Sequence, residues 1–207
     1  SPNSYFFTLF AQGDDQTKDS DALNGVVENI MVCSGDLLVN FDAGLYRLGS
    51  ISDFVWEDLN ANGLQDLNES GLVNVSVSLV EIRRDEIIEI GTQITDENGY
   101  YIFDNLKPGI YRLTFTLPDG YYFSIDNVGT NDADDSDVVG NTIEDIMLMS
   151  GEDNNTYDAG IYRLASIGDF VWEDVNGNGI QDIGEPGIEG IALSLNGTSG
   201  DGNVVTS

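Results

Sequence analysis

Histidine is absent, cysteine occurs once, and 7 lysines and arginines stand against 37 aspartates and glutamates, a formal net charge of −30 over 207 residues. Without imidazole there is no histidine-based triad and no histidine metal ligand. The single Cys33 excludes an intrachain disulfide and a cysteine-rich zinc site. The scarcity of positive charge argues against nucleic acid, whose phosphates would be repelled, and against an anionic membrane surface. No run of about 18 apolar residues occurs, so no membrane insertion is expected in this stretch. Carboxylates abound, but no nucleophile–base pair can be nominated, and an enzyme is not expected. What is present is apolar material, 41% of residues with 10% aromatic, more than a disordered acidic tail carries. The chain is therefore expected to fold.

It also repeats itself. Ile51-Ser-Asp-Phe-Val-Trp-Glu-Asp58 returns as Ile167-Gly-Asp-Phe-Val-Trp-Glu-Asp174, and Asp42-Ala-Gly-Leu-Tyr-Arg-Leu48 as Asp158-Ala-Gly-Ile-Tyr-Arg-Leu164, both at an offset of 116. At that offset, without a gap, 18 of residues 1–48 and 17 of residues 49–79 are identical to their counterparts. The expected organisation is a window on a tandem array. Residues 1–48 are the C-terminal part of a preceding repeat, 49–164 a complete repeat, and 165–207 the N-terminal part of the next. Arg47-Leu-Gly-Ser-Ile51 and Arg163-Leu-Ala-Ser-Ile167 join the copies with no flexible linker, which predicts a stiff string.

Within a repeat the period is 2. Val73, Val75, Val77 and Leu79 alternate with polar residues, as do Tyr111, Leu113, Phe115 and Leu117, and Tyr121, Phe123 and Ile125. Asp96-Glu-Asn-Gly99, Lys107-Pro-Gly109 and Pro118-Asp-Gly120 supply turns between strands. About seven short strands in about 116 residues predict an all-β, two-sheet sandwich. Trp56 and Trp172 fall in first strands and are expected in cores.

After the first strand, Asp58-Leu-Asn-Ala-Asn-Gly-Leu-Gln-Asp-Leu-Asn-Glu69 matches the calcium-loop pattern D-x-[DN]-x-[DN]-G-x₅-E. Calcium takes six to eight oxygens at flexible geometry. Asp58, Asn60 and Asn62 would offer side-chain oxygens, Leu64 its carbonyl, Asp66 a ninth-position ligand and Glu69 a bidentate closure. The loop recurs as Asp174, Asn176, Asn178, Ile180, Asp182 and Glu185. The alternative for both is an Asn/Gly-rich turn after a strand. A second candidate is Asn131-Asp-Ala-Asp-Asp-Ser-Asp137, where Asp134, Asp135 and Asp137, with Asp53, would form a further cation site; the alternative is a solvated loop. The preceding copy has Gln16-Thr-Lys-Asp-Ser-Asp21 there. Four Asn-x-Ser/Thr triplets, at Asn68, Asn74, Asn154 and Asn196, are compatible with glycans. Cys33 aligns with Met149 and is expected to be a small buried apolar residue.

The string Gly168-Asp-Phe-Val-Trp-Glu-Asp174, followed by Asn176-Gly-Asn-Gly-Ile-Gln-Asp-Ile-Gly-Glu-Pro-Gly187, resembles the SdrD B-like repeats of bacterial surface proteins. So do Thr95–Tyr111, Asp135-Ser-Asp137 and Asp158-Ala-Gly160. The resemblance implies tandem Ig-like or prealbumin-like Greek-key β-sandwiches of the collagen-adhesin B type, stiffened by Ca2+ held on the two twelve-residue loops. It implies a stalk or spacer at the bacterial cell surface, with neighbouring repeats of the same array as partners. Related pilin domains carry a Lys–Asn crosslink; here only Lys18 and Lys107 are available, neither in a first strand, and none is expected. Two further functions stand beside the stalk: a filament subunit assembled head-to-tail or by strand complementation into fibres, and an adhesin module.

Overall fold

The computed structural model describes residues 4–12, 14, 15, 17–200 and 202–206. Among them there is no helix. β1 (Tyr5–Phe7) and β2 (Leu45–Arg47) pair antiparallel, Phe6 opposite Tyr46. After Leu48 the chain runs straight into β3 (Gly49–Glu57), the central strand of the molecule. The hairpin of β4 (Ser76–Arg83) and β5 (Glu86–Ile94) follows, then β6 (Tyr100–Leu106), β7 (Gly109–Thr116) and β8 (Tyr121–Phe123). The sandwich closes with β9 (Thr142–Leu148), β10 (Asp153–Asn154) and β11 (Ala159–Arg163).

These strands make an Ig-like β-sandwich. One sheet has the order β5-β4-β7-β9, antiparallel throughout. In the other, β3 pairs antiparallel with β6 on one edge and parallel with β10 and β11 on the other, and β8 flanks β11. The period-2 runs explain the core. Val77 and Leu79 of β4, Leu113 and Phe115 of β7, and Ile51 and Val55 of β3 face inward and are fully or almost fully buried. Each such apolar side chain contributes about 1.5–3 kcal/mol of transfer free energy. Tyr101 and Phe115 meet edge-on at 5.8 Å, and the Tyr101 hydroxyl donates to the Tyr157 carbonyl at 2.7 Å.

Trp56 is fully buried, but on the face of β3 opposite Val55 and outside the core cluster where it was expected. Its ring explains the glycine of Asp158-Ala-Gly160: a Cβ on Gly160 would lie 2.7 Å from Trp56 Cζ2. The strand expected from Val73 begins only at Ser76, leaving Val73 exposed, because Thr95 Oγ1 accepts from Val75 N–H and donates to the Leu72 carbonyl. That clasp replaces a ladder rung.

The flanks differ from the sandwich. Among the described residues after 164, the only strands are the pair β12 (Asn196–Thr198) and β13 (Val204–Thr206). Their counterpart of β3 is reduced to one bridge, Trp172 to Gly187, matching the bridge Trp56 to Gly71. A strand with no sheet beside it has no ladder partner and no face to bury. Ile167 is accordingly 84% exposed where Ile51 is 0%, and Trp172 is half-buried. Cys33 is exposed, not buried as the alignment suggests. Cys33 and Asp36 close a tight turn through Cys33 N–H to Asp36 Oδ2 at 2.7 Å, and Met149–Glu152 closes the same way at 2.7 Å. Both first residues therefore sit on an outer turn.

Candidate metal centre

The twelve-residue loop leaves β3 at Asp58, whose side chain is 1% exposed. Asp58 Oδ2 accepts from Gly63 N–H at 2.8 Å and Oδ1 from Asn62 N–H at 3.2 Å. Asn60 Oδ1 accepts from Asn62 N–H, and Asn62 Oδ1 from Leu64 N–H. These Asx-type bonds curl the chain so that alternate side chains point to one side. Both amide groups, of Asn60 and Asn62, donate to Asp66 Oδ2, at 2.9 and 3.2 Å. Glu69 closes the ring, Oε1 accepting from Leu59 N–H and Oε2 from Asp66 N–H. The curl requires glycine at position 63: its φ is +78°, and a Cβ there would lie 2.3 Å from the Ile125 carbonyl. Asp58, Asn60, Asn62, Asp66 and Glu69 are thus brought together, with Leu64 in the same turn.

The second loop repeats the network. Asp174 Oδ2 accepts from Gly179 N–H at 2.7 Å and Oδ1 from Asn178 N–H at 3.1 Å. Asn176 and Asn178 donate to Asp182 Oδ2 at 2.7 and 2.8 Å. Ile180 N–H donates to Asn178 Oδ1, and Glu185 accepts from Val175 and Asp182 N–H. The N–H of Gly179, ahead of those of Gly177 and Asn178, holds the Asp174 carboxyl below its ordinary range.

The acidic run lies against the first loop, a proximity that two stretches some 70 residues apart do not announce. Leu64 bridges to Asp135, Gln65 N–H donates to the Asp134 carbonyl at 2.8 Å, and Ser136 N–H donates to the Gly63 carbonyl at 3.0 Å. Asp132, Asp135 and Asp137 present carboxylate oxygens within 4.8 Å of one another. Two oxygens each about 2.4 Å from a shared calcium lie at most about 4.8 Å apart, so the spacing suits a hard divalent cation. Asp135 is 4% exposed, and its Oδ1 has no hydrogen-bond partner among the described residues. Burial, then the charges of Asp132 and Asp134, push its carboxyl up. Burial also drives Asp137 up to about 7, with Asp132, Asp135 and Asp53 adding to it. The ion pairs among the described residues, Lys18–Asp15, Arg83–Glu81, Arg112–Glu144 and Arg163–Glu57, all lie elsewhere. The cluster can hold a metal ion.

Asp134 is not in that cluster: it is exposed and bonds the Asn131 amide. Asp132 takes its place. Asp53 sits one step away, its Oδ2 accepting from Tyr157 N–H at 2.8 Å beside the carboxyl of Asp158. Asp158, 1% exposed, is pushed well up, by burial first and then by Asp53, and its Oδ2 has no partner among the described residues. Asp158 N–H in turn donates to Asp137 Oδ2 at 2.8 Å, linking the two groups. Asp158 and Asp132 were missed from sequence. The repeat carries a signal for Asp158, since Asp42 N–H donates to Asp21 Oδ2 at 2.8 Å in the preceding copy. Gln16, the counterpart of Asp132, lies outside the described residues. Of the glycan-compatible asparagines, Asn68, Asn74 and Asn196 are exposed and Asn154 is half-buried.

An Ig-like sandwich with oxygen-rich loops at the end of its central strand, repeated along one chain, defines an acidic structural repeat. The chain belongs to the SdrD B-like domain family, which it matches over residues 49–161 and 165–207. Membership places it at the bacterial cell surface. It is 37% identical over 195 residues to serine-aspartate repeat-containing protein F of Staphylococcus epidermidis, covering 91% of this chain and 11% of that protein. It is 34% identical over 203 residues to serine-aspartate repeat-containing protein D of Staphylococcus aureus strain Newman, covering 97% and 15%. The chain therefore spans a small fraction of the curated relatives it matches. Among solved structures, the minor pilin GBS52 of Streptococcus agalactiae aligns with a TM-score of 0.37 at 13% identity, over 67% of this chain and 60% of that one.

Proposed function

We propose that the chain is a stretch of a calcium-stiffened stalk or spacer, in which residues 49–164 are one complete repeat and 1–48 and 165–207 are parts of its neighbours. The role is structural and not enzymatic. Calcium occupies the Asp58–Glu69 and Asp174–Glu185 loops and, in the complete repeat, the cluster of Asp132, Asp135 and Asp137, next to Asp53 and Asp158. The observation that carries this reading is the hydrogen-bonded turn that ties Asp58, Asn60, Asn62, Asp66 and Glu69 together, rebuilt at Asp174–Glu185. At about a millimolar calcium and micromolar affinity each site stabilises its domain by about 4 kcal/mol. Calorimetry of the whole chain with calcium and with excess chelator tests it. A markedly higher melting temperature with calcium is expected; an identical one overturns the reading.

A second reading, a fibre subunit whose part-repeats are completed by neighbouring chains, draws support from the exposure of Ile167 where Ile51 is buried. Electron microscopy separates the two, since fibres of regular pitch favour assembly and isolated rods favour the stalk.

A further inference from the structure

The joint between the preceding copy and the complete repeat has no slack. β2 ends at Arg47, β3 begins at Gly49, and Arg47 is bonded on both sides of that boundary. It pairs with Tyr5 across the β1–β2 ladder, and its guanidinium lies over the Tyr5 ring at 5.9 Å. At the same time its N–H donates to Ser150 Oγ at 2.9 Å, and Gly151 N–H donates to its carbonyl at 3.1 Å. The outer turn Met149–Glu152 of the complete repeat thus receives the last strand of the repeat before it.

What holds that turn against β3 is the bareness of Gly49. Ser50 N–H donates to the Glu152 carbonyl at 3.0 Å and Ser50 Oγ to Asp153 Oδ1 at 2.8 Å. A Cβ on Gly49 would lie 2.1 Å from that same carbonyl. Gly49 is not among the residues with positive φ, so alanine fits the backbone there and only the contact forbids it. The corresponding turn in the preceding copy, Cys33-Ser-Gly-Asp36, keeps the Ser-Gly pair, but a Cβ on Gly35 would meet nothing within 4 Å, whereas one on Gly151 would lie 2.6 Å from Arg47 Nε. Only residues 1–48 of that copy lie in this sequence, so the turn at Gly35 is one with no preceding strand to receive.

We propose that the Ser-Gly outer turn of each repeat is the docking surface for the exit strand of the repeat before it, and that the residue at the Gly49 position sets how firmly that joint is held. In the next copy this position is Ala165, so a joint built there opens and flexes more. The proposal rests on the array reading above but not on the cation: Gly49 and the loop at Asp58 lie at opposite ends of β3, about 30 Å apart at strand rise.

Amide hydrogen exchange of the full chain, resolved by NMR, tests it. The Gly151 amide should exchange at least about tenfold more slowly than that of Gly35, its counterpart in the same molecule. Gly49→Ala should bring the two within about threefold, while the Leu113 amide in the core stays protected and so reports that the sandwich is intact. Ser150→Ala, which removes the acceptor of Arg47 N–H and adds no bulk, should loosen Gly151 in the same direction by a smaller factor. Equal exchange at Gly151 and Gly35 in the parent overturns the proposal, as does full protection of Gly151 in Gly49→Ala. The same measurement under chelator separates the two readings: loss of calcium stabilisation without loosening at Gly151 leaves the joint standing when the calcium reading falls, and the reverse holds too.

Discussion

The Asp58–Glu69 loop sits at the end of a fully paired strand, whereas Asp174–Glu185 follows a segment with no sheet around it, yet every side-chain hydrogen bond of the first recurs in the second, which adds one from Gly177 N–H to Asp174 Oδ1. Loop shape is therefore written in the loop: short polar side chains bonding to the backbone two to five residues on, with glycine at the bend. What the sandwich adds is outside the loop. It buries Asp58, brings Ser136 N–H to the Gly63 carbonyl and lays the acidic run alongside. The first loop is a local structure inserted in a folded domain; the second is the same local structure standing by itself.

The largest break in that comparison should come from the core. Leu79→Ala should cost about 2–5 kcal/mol in denaturant unfolding, because it opens a cavity at a fully buried position. Leu195→Ala, at the matching position that is 38% exposed, should stay within about 0.5 kcal/mol. Next, Asp58→Ala should destabilise the sandwich by about 1–3 kcal/mol even under chelator, since the buried Gly63 N–H loses its acceptor. Asp174→Ala should leave the melting temperature of the sandwich unchanged while abolishing calcium uptake by its own loop in titration calorimetry.

A smaller effect sharpens the role of the acidic run. Asp137 has its folded pKa raised to about 7, and Asp135 and Asp158 are raised too. A carboxyl raised on folding binds more protons folded than unfolded, so its contribution to stability is present in full below about pH 4 and is lost as pH climbs to about 7. Under chelator the melting temperature should therefore fall across that window. Calcium, which favours the ionised carboxylates, should flatten or reverse the fall; an identical pH profile with and without it would remove the cluster as a binding site.

The sandwich was legible because its strands are half-buried and alternate strictly, as in Tyr111–Leu117. The loop was legible because its geometry is local. The membership of the acidic cluster was not. Asp132 rather than Asp134 joins Asp135 and Asp137, the Asp134 carbonyl being taken by Gln65 N–H and its carboxylate by Asn131, and no spacing rule within Asn131–Asp137 reveals that. Asp158 joins through a strand that arrives from 21 residues further on. Alignment misled at Cys33 because identity of position was taken for burial, whereas its partner Met149 is itself exposed on a turn.

β3 and β11 run in the same direction, with Val55 opposite Ala159 and Glu57 opposite Ile161. The chain therefore enters the sandwich at the start of one of these strands and leaves at the end of the other. A pull on the two ends of the sandwich would draw these strands past each other lengthwise, loading the rungs between them together instead of peeling them apart in turn. Three parallel rungs, Val55–Ala159, Trp56–Gly160 and Glu57–Ile161, take that load at once.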